Sequence, residues 1–187
     1  VNLPELMKKY WDDNTSGHAW PPRHNYYEHY VIWSALVKPE SYLEIGVMYG
    51  WSTMAVLLGN NITRIALFDN ELYQIPLSEA VRRIEEFCRD QGIPMPIIEY
   101  KKMDTTVVDN LGVSRSYEMS HVDGSHGEAA VYHDLCLVSP VTTKVIIVDD
   151  LSLPGIKEGA DRFLAEHPQW EALVHPDHQS HYVMWRK

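Results

Sequence analysis

Apolar runs in this sequence repeatedly end beside acidic residues, and that pattern constrains the fold more than any other feature. Residues 41–45 carry Glu44 and stop at Gly46, residues 64–68 stop at Asp69, and residues 118–122 stop at Asp123. The strongest run, Val145-Ile146-Ile147-Val148 at the end of residues 144–148, passes straight into Asp149-Asp150. A weaker run over residues 96–100 is followed by Asp104. Each run has the length and apolar character of a buried strand. The segments between them have helical period. Residues 51, 54, 55 and 58 share one face, and Leu77, Ala80, Val81, Ile84, Phe87 and Cys88 form a stripe that Gly92 is placed to stop. Ala130, Val131, Leu135 and Val138 make a third face, and Ile156, Ala160, Phe163 and Leu164 a fourth over residues 156–166. Two closing strands, 170–174 and 181–185, flank a turn at Pro176-Asp177-His178.

Continuous apolar strands alternating with amphipathic helices imply an α/β sandwich, a mostly parallel sheet covered on both faces. Ligands of such sheets lie beyond the carboxyl ends of the strands, where the winding reverses. The acids stand at those ends. A chain of 187 residues suits a single domain, in which residues 41–187 bind the ligand and residues 1–40 form an N-terminal helical or lid segment. Within that segment a helix over residues 25–37 is expected to lay Tyr30, Trp33 and Leu36 on the sheet. Trp11, Trp20 and Pro21-Pro22 are candidates for a lid over an apolar pocket.

The formal net charge of −10 and the scattered basic residues argue against nucleic acid as a partner and favour a small neutral or cationic substrate. No window approaches the roughly 18 unbroken apolar residues of a membrane helix. The N-terminus lacks a basic stretch followed by an apolar run, so no signal peptide and no membrane partner are expected. Cys88 and Cys136, both on helical segments, read as free thiols in a reducing cytoplasm rather than as a metal motif or a disulfide framework.

Glu44-Ile45-Gly46-Val47-Met48-Tyr49-Gly50 reads as strand, glycine turn and helix start. Gly46 lets the main chain approach a ligand closely, and the amides at a helix start favour anions. The third glycine of a dinucleotide fingerprint is missing. Asp69 is placed to accept the hydroxyls of a ribose. The strands ending at Val122 and Val148 are expected to be neighbours, which would bring Asp123, Asp149 and Asp150 together. Clustered carboxylates repel unless protonated or bridged by a cation, and an all-oxygen set suits Mg2+ or Mn2+. His126 is a candidate general base. His178 and His181 could face the same mouth, but their spacing does not indicate ligation.

The segments 43–53, Val122-Asp123-Gly124-Ser125-His126, His133-Asp134-Leu135 and Ile147-Val148-Asp149-Asp150 together resemble the class I S-adenosylmethionine-dependent methyltransferases. More narrowly they are similar to the branch of macrolide-sugar O-methyltransferases and cephalosporin-hydroxylase-like proteins. The resemblance covers residues 41 to 151 and implies a seven-stranded Rossmann-like sheet closing in an antiparallel hairpin. It implies that Glu44, Gly46 and the turn through Tyr49, Gly50 and Ser52 hold the methionine part of S-adenosylmethionine. Asp69 or Glu71 would then hold the ribose, with Asp104 near the adenine and Asp123 at the cofactor's edge. Asp123, Asp149 and Asp150 would bind the metal, and Asp123 and His126 would serve catalysis on a hydroxylated small-molecule acceptor. A homo-oligomer is compatible with this reading. Its rivals are a metal-independent N- or O-methyltransferase and a cofactor-binding domain without catalysis.

Overall fold

The computed structural model describes residues 26–73, 75–174 and 181–187. Trp11, Trp20, Pro21-Pro22 and the turn at Pro176-Asp177-His178 lie outside the described residues. Helix α1 (Tyr26–Val37) precedes β1 (Ser41–Ile45), α2 (Trp51–Leu57), β2 (Arg64–Asp69) and α3 (Leu77–Gln91). Then come β3 (Ile97–Lys102), β4 (Tyr117–Val122), α4 (Glu128–Val138), β5 (Thr142–Val148), α5 (Ile156–Glu166), β6 (Trp170–Val174) and β7 (Tyr182–Arg186). Short 3-10 turns at Thr105–Val107 and Ser139–Val141 lead into β4 and β5.

The strands form one seven-stranded sheet in the order β3-β2-β1-β4-β5-β7-β6. β1 to β5 run parallel, and β7 is antiparallel to both β5 and β6. Chain order runs outward from β1 in one direction and from β4 in the other, so the switch point lies between those two strands. This is the sandwich expected from the sequence, closing hairpin included. β4 and β5 are neighbours, as the approach of their terminal acids requires.

Alternation along each strand divides the core in two. Tyr42, Ile65, Leu67, Met119, Val145, Ile147 and Val183 face α1, α2 and α3. Leu43, Ile45, Ala66, Phe68, Val122, Ile146 and Val148 face α4 and α5. The stripe read on α3 is buried as expected, and Gly92 ends the helix in the left-handed region, with Ile93 N donating to Cys88 O at 2.8 Å. Cys88 and Cys136 are both free thiols.

The structure differs from the sequence reading at several points. β3 extends to Lys102, and its weak apolar signal has a simple cause: it is an edge strand with most of its side chains exposed. β7 begins at Tyr182 rather than at His181. On α1, Tyr30 is buried and Trp33 packs edge-on to Trp185, but Leu36 is 65% exposed. The inward stripe of α1 runs through Tyr30, Ser34 and Val37, and Leu36 falls off it. Helix α1 packs on the same core as α2 and α3, so residues from 26 onward share that layer. No helix among the described residues is long and apolar enough to cross a membrane.

Candidate active site

Gly46 ends β1 at the switch point with φ +83°, and a Cβ built there would lie 1.9 Å from the carbonyl oxygen of Asp123. A close approach that demands glycine is therefore to the main chain after β4. Two hydrogen bonds join this corner, Gly46 N to Phe68 O and Asp123 N to Ile45 O, both at 2.9 Å. Gly50 plays a similar part behind the turn, where a Cβ would meet Ile84 of α3 at 2.9 Å.

The strand-end acids divide into those spent on the backbone and those left open. Asp69 Oδ2 accepts from the amides of Val47 and Met48 at 2.8 and 2.9 Å, and its Oδ1 accepts from Glu71 N at 2.6 Å. Met48 and Glu71 are held at φ +49° and +59°, a costly region for residues with a side chain, so Asp69 acts as the clamp of two strained turns. Glu71 accepts from Leu77 N at 2.9 Å and pairs with Lys102 at 2.7 Å. Either carboxylate would have to share its acceptors with a ribose. Asp104 caps the turn after β3 through the amide and hydroxyl of Thr106, which hold its pKa below the usual carboxylate range.

Glu44 is wholly buried and faces away from solvent. It accepts from the hydroxyls of Ser52 and Thr53 and lies 3.1 Å from His121 Nδ1. Tyr49 is buried too, stacked on Trp51 at 4.6 Å beneath the Arg83 guanidinium. The side chains of Glu44, Tyr49 and Ser52 thus brace the glycine turn from within, and what that turn offers a ligand is main chain.

Asp123, His126 and Asp150 form the open group. His126 Nε2 lies 3.6 Å from Asp123 Oδ1 and 3.7 Å from Asp150 Oδ2, with the three side chains 24%, 41% and 37% exposed in the order Asp123, His126, Asp150. Their ligand atoms lie within 4.8 Å of one another. Burial, followed by the fields of Asp149, Asp150, Glu44 and Asp69, pushes the Asp123 carboxyl well above the usual range. Burial and Asp149 raise Asp150 as well, opposed by His126, His181 and His121. This negative field suits a ligand that carries positive charge, such as a sulfonium, an ammonium or a divalent cation.

Asp149 does not close a single group with Asp123 and Asp150 among the described residues. It falls instead with His121 and Asp123. It is buried, accepts from Tyr30 Oη at 2.7 Å and from Asp150 N at 2.6 Å, and lies 3.0 Å from His181 Nε2. Tyr30 Oη also meets His121 Nε2 at 2.9 Å. A buried polar row, Glu44–His121–Tyr30–Asp149–His181, therefore crosses the sheet under α1. Tyr30 has one proton to give. Spent on Asp149, it leaves the tyrosine oxygen to accept from His121 Nε2, while His121 Nδ1 lies 3.1 Å from Glu44. Both His121 nitrogens are occupied, so of the two such groups among the described residues Asp123–His126–Asp150 is the more open.

His121, Tyr30 and Asp134 escaped the sequence reading as candidates for the site. Alternation along β4 does put His121 on the face of Met119, a signal present in the sequence. Tyr30 offered none, because its partners lie 91 and 119 residues away. Asp134 on α4 is wholly buried beneath the Asp123-Gly124 turn, where a Cβ at Gly124 would come within 2.7 Å of its Oδ2. Burial lifts it to about 6, against the opposing pull of Thr105 and His133. Its unfolded value is about 3.9, so the folded state binds the proton more tightly. Stability should accordingly fall as pH rises from about 4 to about 6, by about 3 kcal/mol in all. Asp134→Asn is expected to stabilise the protein more at pH 7.5 than at pH 4.5, as read by urea denaturation. An equal effect at both pH values would show that Asp134 carries no such penalty.

No family model matches the chain, and no curated protein sequence matches it. Solved structures do. The O-methyltransferase of Bacillus cereus in complex with S-adenosylhomocysteine superposes with a TM-score of 0.68 at 15% identity, covering 100% of this chain and 90% of that one. The S-adenosylhomocysteine-bound methyltransferase PaMTH1 of Podospora anserina gives 0.62 at 16% identity, covering 100% and 88%. The O-methyltransferase TomG of Streptomyces achromogenes, in complex with S-adenosylmethionine and involved in tomaymycin synthesis, gives 0.56 at 13%, covering 98% and 86%. Likeness at this identity is likeness of fold. The chain has the fold of the class I S-adenosylmethionine-dependent methyltransferases.

Proposed function

We propose that this chain is an S-adenosylmethionine-dependent O-methyltransferase that acts on a hydroxylated small molecule with the help of a divalent cation, Mg2+ or Mn2+. One observation carries the reading: the open Asp123–His126–Asp150 group sits in a field of carboxylates at the switch point of this fold. The net charge of −10 supports a small acceptor over nucleic acid. When bound, S-adenosylmethionine supplies an electrophilic methyl on sulfonium, and the cation lowers the pKa of a hydroxyl that it coordinates.

The chain's own residues supply alignment and proton handling. Asp69 holds the turn amides of Val47 and Met48 in place, so the cofactor floor is set before any ligand arrives. Asp123 and Asp150 would hold the cation through their carboxylate oxygens. His126 takes the acceptor proton at Nε2, and the imidazolium formed there faces both acids. With the cofactor bound, its sulfonium methyl would be the group passed to the acceptor oxygen that His126 has deprotonated.

Calorimetric titration with S-adenosylhomocysteine is expected to give a one-site isotherm. Saturable binding of a nicotinamide dinucleotide, with no response to S-adenosylhomocysteine, would overturn the reading. An acceptor screen with labelled cofactor then tests turnover. Chelation should abolish methyl transfer without releasing the cofactor, and Mg2+ or Mn2+ should restore it. Full activity in chelator, with no bound metal by elemental analysis, would remove the cation and leave His126 acting alone.

A further inference from the structure

Asp150 stands at φ +56°, in the left-handed region that non-glycine residues avoid unless something holds them there. What holds it is the preceding side chain. Asp149 Oδ1 accepts the Asp150 amide at 2.6 Å, and the Asp149 amide is in turn tied to Val122 O at 3.1 Å. This bend brings Asp150 Oδ2 to 3.7 Å from His126 Nε2, beside Asp123. The Asp149 carboxylate can hold that bend only while its own orientation is fixed, and it is fixed from α1. Tyr30 Oη donates to Oδ2 at 2.7 Å, and His181, edge-on to the Tyr30 ring at 5.3 Å, brings Nε2 to 3.0 Å from Oδ1. His121, packed edge-on against the Tyr30 ring at 4.8 Å and bonded to its hydroxyl, keeps the tyrosine from turning away.

We propose that Tyr30 is a positioning residue for the cation site: its hydroxyl orients Asp149, which holds Asp150 in the bend that faces Asp123. Helix α1 thereby becomes part of the site, and Asp149 serves from behind rather than as an open ligand. The proposal rests on the reading of Asp123 and Asp150 as cation ligands. Removing a group that orients a ligand from behind typically weakens metal affinity by about tenfold to a hundredfold. A group that merely fills the core lowers stability without that effect.

The test uses Mn2+ binding to the full chain, followed by electron paramagnetic resonance, so it needs no acceptor and no turnover. Tyr30→Phe keeps the ring and deletes the hydroxyl. It is expected to weaken Mn2+ binding by about tenfold or more, with S-adenosylhomocysteine affinity unchanged by calorimetry. Ser34→Ala, one turn along the same buried face of α1, controls for loss of stability alone and should leave Mn2+ binding intact. Asp150→Asn reports on the ligand reading itself. If Asp150→Asn weakens Mn2+ binding and Tyr30→Phe does not, or if Ser34→Ala matches Tyr30→Phe, the positioning role is overturned and the cation reading stands. If the wild-type chain binds no Mn2+, both fall. Should Tyr30→Phe fail to fold, His181→Gln removes the imidazole that packs on Tyr30 and lies beside Asp149 Oδ1, and carries the same expectation.

Discussion

His126→Ala is expected to slow methyl transfer by about a hundredfold to ten-thousandfold, the usual contribution of a positioned acid–base group. Cofactor affinity should scarcely change, because the imidazole faces Asp123 and Asp150 and lies off the glycine turn that ends β1. The loss should therefore appear in kcat more than in KM. At its 41% exposure the side chain makes few packing contacts, so the melting temperature should hold and a fall in rate can be read as chemistry. A variant whose turnover stays within about twofold of wild type would make His126 an ordinary exposed histidine at a helix start.

Gly46→Ala is expected to be as severe for folding as His126→Ala is for turnover. The new Cβ would sit 1.9 Å from Asp123 O, 2.4 Å from Asp123 C and 2.9 Å from Gly124 N. All three are main-chain atoms, so no rotamer change relieves the contact. β1 and β4 must separate at their ends, and the bond from Asp123 N to Ile45 O across that corner is strained or lost. A loss above about 4 kcal/mol is expected, or failure to recover folded protein. Gly59→Ala is the matched comparison. Its φ is +78° but nothing lies within 4 Å of its Cβ, which leaves only the left-handed strain of about 1–2 kcal/mol. Equal urea midpoints for the two variants would show that the β1–β4 corner can open without cost.

The reason for Gly46 illustrates how far a sequence can be read. The glycine is legible at the end of a strand, and so is its need for close approach. What approaches is not legible, because Asp123 is 77 residues away along the chain and meets Gly46 only when β1 and β4 pair. Asp69 teaches the same lesson. A strand-end acid facing a glycine turn reads as a ribose ligand, and the fold adds a second task, accepting from the Val47, Met48 and Glu71 amides. Left-handed φ values at Met48 and Glu71 create that demand, and no residue type signals them in advance.

What the sequence by itself determined is the architecture and the gathering of acids at one edge. Hydrophobic period is local: it separates strand from helix, and it puts each strand's last residue where apolar burial ends and water or a ligand begins. From that follow the mostly parallel sheet and the placing of Asp123 and Asp149-Asp150 at the ends of neighbouring strands; the antiparallel closing hairpin came from the family resemblance. Only the tertiary structure decided which acid faces out and which is locked in. Asp149 and Asp150 are adjacent and chemically alike, but the first turns inward to Tyr30 and His181 while the second bends toward Asp123 and His126. A carboxylate goes where polar partners are, and here Tyr30 comes from α1 and His181 from the residue before β7, segments that meet only in the folded chain.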